Sequence, residues 1–264
     1  MKFGGGFDHD GYAWRYWWSV VRLSVRTWGS EDGPIAILVH GGGHSSESWR
    51  ELGPWLADRG WRVIAPDIRG HGRSEAQSPL PSPLLPALVD DIAETIDGLV
   101  SPSAELGVLV GHSMGAALAL EYAVRYPSRV RRLVIEDPPG PQSMDISAFS
   151  ALLLRRLEAS PQQVPDPRVI QAICEELVSV DMIGLAGRCV TSSLLVFARD
   201  SLAAPSDAVF QLAEHSTILG EERAKFRMAL HASDAVELPC GHDVHLKEFA
   251  KFSHTLENWL HCHA

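Results

Sequence analysis

Cysteine is sparse in this chain: Cys174, Cys189, Cys240 and Cys262 are the only four among 264 residues, and no two stand in C-x-x-C spacing. That excludes a dense disulfide framework and a cysteine-based metal ribbon, and free thiols in a reducing compartment are expected. No stretch approaches the roughly 20 apolar residues that a membrane-spanning helix needs. The glycine-rich first ten residues lack the apolar core of a secretory signal. A cytoplasmic protein is the expectation. Basic residues are outnumbered 23 to 33, for a formal net charge of −10, so neither nucleic acid nor an anionic membrane is expected as a partner. Neither a G-x-x-x-x-G-K-[ST] phosphate loop nor an H-E-x-x-H metal motif occurs. His261-Cys262-His263 reads as a frayed tail rather than a ligand set. No metal and no cofactor is expected, and no internal repeat is evident.

What is present suits one large core. Hydrophobic residues make up 45% and charged residues 21%, and the length allows a full α/β domain with a small insertion. Apolar runs at Ile35–Val39, Leu106–Val110, Val130–Ile135 and Ser193–Ala198, with shorter ones at Arg62–Ala65 and Ala235–Leu238, read as buried strands. Val21–Arg26 alternates apolar and polar and reads as an edge strand. Helical patterns fall between them, at about 47–58, 87–100, 116–124, 207–215, 221–231 and 246–259. This alternation predicts an α/β fold, a mainly parallel central sheet with helices on both faces. From 141 to 190 the pattern turns helical and amphipathic, with helices expected over 148–157 and 169–178. The expected organisation is a core domain of residues 1–140 and 191–264 with a helical lid inserted at 141–190. The tryptophan-rich start (Trp14, Trp17, Trp18, Trp28) reads as packing of an edge strand or hairpin.

The most informative stretch is Gly111-His112-Ser113-Met114-Gly115, a G-x-S-x-G pattern between an apolar strand and an alanine-rich helix. A chain that turns this sharply holds the serine in a strained conformation. The flanking glycines let strand and helix approach closely. The hydroxyl then stands at the carboxyl end of the strand, at a helix N-terminus whose N–H groups favour a developing negative charge. His40-Gly41-Gly42-Gly43 follows another buried strand and offers further backbone N–H groups. The loop Asp67-Ile68-Arg69-Gly70-His71-Gly72-Arg73-Ser74 reads as a hydrogen-bonded brace beside them. His40 to Gly43, Ser113, Asp137, Asp200 and His242 all fall at carboxyl ends of expected strands, where sites in such sheets lie.

With these pieces, in this order and over nearly the whole chain from about residue 20, the sequence resembles the α/β-hydrolase superfamily. The resemblance implies a nucleophile at Ser113, a general base at His242, and oxyanion-hole N–H groups on Met114 and Gly42. It also implies a carboxylate that orients the base, and here the sequence departs from the pattern. The family usually carries this acid after the strand ending at Ala198, in a G-x-x-D frame, where this chain has Ser201 with Asp200 one residue early. Some members carry it one strand earlier, where Asp137 stands. Asp200 is preferred over Asp137, and Glu136 and Asp207 are held as further alternatives. His40 and His112 read as local structural donors, and His245 as the start of the last helix. The resemblance implies hydrolysis of an apolar carboxylic ester or lactone through an acyl-serine. Carbon–carbon bond hydrolysis and cofactor-free haloperoxidase chemistry use the same triad. A slow ligand-binding receptor on the same scaffold, or an inactive hydrolase, stands as an alternative from another class. Substrate identity and oligomeric state are not specified by these residues.

Overall fold

A computed structural model describes residues 2–7, 13–18, 20–139, 165–199, 218, 220–231 and 234–263. β1 (Lys2–Phe7) and β2 (Ala13–Trp18) form an antiparallel hairpin. The main sheet contains β3 (Val25–Trp28), β4 (Ile35–Val39), β5 (Arg62–Pro66), β6 (Leu106–His112), β7 (Arg132–Glu136), β8 (Ser192–Ala198) and β9 (Asp234–Leu238). Their spatial order is β3-β5-β4-β6-β7-β8-β9, with β3 antiparallel to its neighbour and every other pairing parallel. The expected α/β architecture is therefore observed.

Helices cover both faces. α1 (Leu52–Ala57) and α8 (Phe249–Cys262) lie on one, and α2 (Leu84–Asp97) and α3 (Met114–Arg125) on the other. Side chains alternate across a strand, so β4 sends Ala36 and Leu38 into the α1/α8 core and Ile37 and Val39 into the α2/α3 core. The strands β6 and β7 are buried along their whole length, as expected of parallel strands covered on both faces. The remaining described helices are α4 (Pro167–Leu177), α5 (Met182–Arg188), α6 (Gly220–Ala229) and the one-turn α7 (Val244–Lys247). No helix among the described residues is long and apolar enough to cross a membrane. Of the two expected lid helices, that over 169–178 is observed as α4; the one over 148–157, like the helix over 207–215, lies outside the described residues.

Three local departures from expectation have physical causes. The edge strand begins at Val25 rather than Val21, because side chains claim the backbone donors that precede it. Val21 N–H donates to Asp91 Oδ1 at 2.8 Å, Leu23 N–H to Thr95 Oγ1 at 2.9 Å, and Ser24 N–H to Ser74 Oγ at 2.9 Å. The helix expected from 87 begins at Leu84, with Pro86 inside its first turn, where the missing N–H costs nothing. Its early start is capped from outside, since the N–H groups of Leu84 and Leu85 both donate to the Glu176 carboxylate on α4. The single helix expected over 47–58 is a 3-10 turn (Ser46–Trp49) followed by α1.

Glu176 thus ties α4 to the core at the N-terminus of α2, a location that favours an anion. Glu176→Ala is expected to lower stability by about 1–2 kcal/mol, read from urea unfolding. An unchanged midpoint would show that the cap contributes nothing.

Candidate active site

Ser113 sits between β6 and α3 with φ 51° and ψ −122°, a strained conformation for a residue with a side chain. The cause lies in its neighbours. A Cβ on Gly111 would stand 2.2 Å from the carbonyl oxygen of Gly115, and one on Gly115 would stand 2.2 Å from that of Val39. Only glycine at both positions allows helix and sheet to meet so closely. Ser113 N–H donates to the Glu136 carbonyl at 2.9 Å, extending the β6–β7 ladder by one residue. The next residue, Met114, opens α3, whose first N–H groups have no acceptor within the helix.

The glycine loop after β4 lies against this serine. A Cβ on Gly41 would meet Cβ of Ser113 at 3.2 Å and Nδ1 of His112 at 2.7 Å. Gly42 follows in a turn closed by His44 N–H donating to the Gly41 carbonyl at 3.1 Å, with Gly43 at φ 76°. His40 anchors the loop with both ring nitrogens: Nδ1–H donates to the Gly41 carbonyl at 2.8 Å, and Nε2 accepts from Ile68 N–H at 3.0 Å. Burial pushes its pKa down to about 4, so the ring is neutral.

The loop after β5 braces the site. Asp67 accepts from Ser46 N–H at 2.7 Å and Arg73 N–H at 3.0 Å. Arg69 and Asp91 form a buried bidentate pair with both contacts at 2.7 Å. A pair of this kind fixes geometry more than it stabilises, because desolvation offsets much of the attraction.

The Nδ1 of His242, on the loop after β9, lies 2.6 Å from Asp137 Oδ2. Asp137 follows β7 with φ 38°, and its other oxygen accepts from Ala198 N–H at 3.1 Å. Burial alone would lower the His242 pKa, but the hydrogen bond and charge of Asp137 outweigh it, and the net shift is upward. Ser113 and His242 are each 8% exposed, so both are shielded without being sealed. Of the two competing acids, Asp137 stands against the histidine; Asp200 lies outside the described residues, as does Asp207.

A second histidine–carboxylate pair lies beside the first. His245 donates to Glu136 twice: N–H to Oε1 at 2.9 Å, and Nδ1–H toward both carboxylate oxygens at 2.8 and 2.9 Å. The His245 ring stacks on Trp49 with centroids 4.1 Å apart. His112 completes the cluster, its Nε2–H donating to the His242 carbonyl at 3.0 Å. This pair is absent from the sequence reading, which held Glu136 only as an alternative acid and His245 as a helix start. The available signal is the spacing: adjacent Glu136 and Asp137 stand at the end of a strand, and His242 and His245 stand three apart after the last one.

Among the described residues, two donor groups have a composition that a metal could use: His112 with Glu136 and His245, and His44 with His112 and Asp243. In the first, His245 Nδ1 and the Glu136 carboxylate are joined to each other, and His112 Nε2 is spent on a backbone carbonyl. That group fits a hydrogen-bond network better than a coordination shell.

A family model described as alpha/beta hydrolase fold matches residues 34–165. Among curated proteins, the chain is 34% identical over 122 residues to Epoxide hydrolase 3 of Mus musculus, covering 46% of this chain and 32% of that protein. It is 30% identical over 173 residues to 2-hydroxy-6-oxo-6-phenylhexa-2,4-dienoate hydrolase of Comamonas testosteroni, covering 60% of this chain and 56% of that one. The chain thus spans less than two thirds of the length of these relatives. Among solved structures, the enol-lactonase from Burkholderia xenovorans LB400 superposes with a TM-score of 0.69 at 19% identity, covering 90% of this chain and 96% of that one, a likeness of fold.

The buried histidines make acid stability a test of this arrangement. Burial lowers His71, His112 and His245 to about 3, alongside His40 at about 4. Below the ordinary value near 6.5 the unfolded chain binds four protons that the folded one refuses. Burial acts oppositely on two carboxyls, raising Glu136 to about 7 and Asp91 by an amount of the same sign. Each carboxyl can hold at most one extra proton in the folded state, so the four histidines outweigh the two, the balance is net proton uptake on unfolding, and stability should fall as the pH drops from about 7 toward 5. Urea unfolding across pH 7 to about pH 5 checks this, and constant stability over that window would contradict it.

Proposed function

The chain belongs to the alpha/beta hydrolase fold family, and on that footing we propose that it is a serine hydrolase cleaving a carboxylic ester or lactone. The observation that carries the reading is the 2.6 Å contact between His242 Nδ1 and Asp137 Oδ2, at the sheet end that bears Ser113. With Nδ1–H held by Asp137, the neutral imidazole presents Nε2 as its basic atom. His242 takes the Ser113 proton as Oγ attacks the substrate carbonyl, and Asp137 stabilises the resulting imidazolium. The N–H groups of Met114 and Gly42 receive the oxyanion, each such donor contributing about 3 kcal/mol to the transition state. His242 returns the proton to the leaving alkoxide, and the acyl-Ser113 ester is then hydrolysed by a water that His242 deprotonates. In a lactone the leaving alkoxide stays attached to the acyl group, and the chemistry is unchanged. The substrate is a small molecule with an apolar acyl or ring group, in keeping with the apolar residues of the 141–190 segment, and no step calls for a cofactor.

Similarity to an epoxide hydrolase is weighed against this chemistry. A serine oxygen opening an epoxide would form an alkyl ether, which offers water no carbonyl, and turnover would stop after one event. Ser113 therefore favours acyl substrates. Cleavage of a carbon–carbon bond beside a ketone, by contrast, proceeds through addition to a carbonyl with the same groups. Similarity to the Comamonas hydrolase of an oxo-dienoate supports that as the second reading.

Hydrolysis of p-nitrophenyl esters from acetate to decanoate tests the proposal. Ser113→Ala and His242→Ala are expected to lower kcat by roughly 10³-fold or more, and Asp137→Asn to fall with them. A fall with Asp200→Asn and none with Asp137→Asn would move the acid to the loop after β8. Turnover of an oxo-dienoate with none of the esters would favour the second reading.

A further inference from the structure

Asp137, just past the end of β7 with φ 38°, meets His242, and Glu136, the last residue of the strand, meets His245. The register of β6 with β7 sets His112 opposite Glu136, on the same face. The loop that carries His242 is thereby held twice. At its start the His242 carbonyl receives the Nε2–H of His112. Three residues later both the backbone N–H and the ring N–H of His245 end on Glu136. Glu136 also passes its carbonyl to Ser113 N–H. One residue is thus joined to both sides of the proposed reaction, to the serine through its backbone and to the histidine loop through its side chain.

We propose that Glu136 is a positioning residue for the His242 base: with His245 and His112 it clamps the base's loop, and its carboxylate adds a second negative charge behind the imidazole. This inference rests on the serine-hydrolase reading given above. A carboxylate fully buried among aromatic rings is costly unless it is paired and bonded. Here both oxygens are occupied by His245, and the ring that supplies the donor is fixed between Trp49 and Phe252, with centroids 4.1 and 6.4 Å away. The groups facing the carboxylate are His112 from β6, His245 from α7, and His242 and Asp243 from the loop before it. Asp137 adjoins it at the end of β7, and the neighbouring β8 residue in register is the apolar Val196. Arg50 and Glu51 reach the pair through His245. Burial raises the Glu136 pKa to about 7, and its charge is one of the influences that raise His242. Where Glu136 is ionised, its carboxylate favours the imidazolium that forms when His242 takes the serine proton.

The test needs no knowledge of the natural substrate. Inactivation by diisopropyl fluorophosphate reports how readily His242 activates Ser113, and p-nitrophenyl acetate separates kcat from KM. Both are measured on the full chain for wild type, Glu136→Gln, His245→Phe and His245→Asn. Glu136→Gln keeps the shape and removes the charge. It is expected to lower kcat about 10- to 100-fold with KM changed less than about threefold. The acid limb of the inactivation profile should move to lower pH, because His242 has lost a neighbour that is negatively charged over the upper part of that limb. His245→Phe fills the same space without a donor and should share the loss of rate. His245→Asn supplies a side-chain N–H in place of Nδ1–H and should restore the rate to within about threefold of wild type.

A merely structural Glu136 would lower the melting temperature and leave the acid limb where it is, which would overturn the proposal. Should Glu136→Gln fail to fold, equal rates in His245→Phe and His245→Asn would overturn it in its place. Normal labelling of wild type with no change in any variant removes this inference alone. Wild type that reacts no faster than Ser113→Ala removes the serine-hydrolase reading, and this inference with it.

Discussion

Everything at the carboxyl end of the sheet depends on how closely α3 lies against β6 and β4. The carbonyl oxygens of Gly115 and Val39 occupy the space that side chains at Gly111 and Gly115 would need. With strand and helix that close, the connection has room for one residue, and Ser113 takes it at φ 51°. The strain of such a conformation is of the order of 1–3 kcal/mol. It is offset by burial of the helix, whose Ala116, Ala117, Ala119 and Ala123 present little bulk to the sheet. The conformation of Ser113 and the packing of the core are therefore one constraint.

The second organising fact is that β7 ends in two acidic residues. This strand end serves two histidines, His242 on the loop after β9 and His245 on α7. Asp137 engages the outer one, His242, and Glu136 the inner one, His245. His112 stands between, with ring centroids 4.7 Å from His242 and 5.0 Å from His245. Burial keeps His112 and His245 neutral while the Asp137 pairing raises His242. Three histidines within one cluster are thus set to different protonation behaviour by what each one faces.

Much of the fold is legible in the residues, because buried parallel strands are continuous apolar runs and the five apolar residues from Ile35 to Val39 admit no other place. The elbow is legible for a similar reason, since only glycines tolerate the contacts at 111 and 115. The choice of acid is harder to read. Asp137 and Asp200 both follow a core strand, and the sequence frame favours the loop after β8. What the structure adds is the side-chain direction of Asp137, set by its positive φ and by Ala198 N–H holding its other oxygen. Helix starts are misread where a distant side chain acts as the cap, as Glu176 does for α2. The Glu136–His245 pair is a long-range contact of the same sort, hidden behind a 109-residue separation.

The central claim is that Ser113 forms a covalent acyl intermediate. Intact-mass measurement during turnover of a p-nitrophenyl ester, followed by peptide mapping, tests it most directly. The account predicts a single added acyl group on the peptide containing Ser113, formed with the burst of p-nitrophenol and absent from Ser113→Ala. An adduct on any other residue, or steady turnover unaffected by Ser113→Ala, would contradict it.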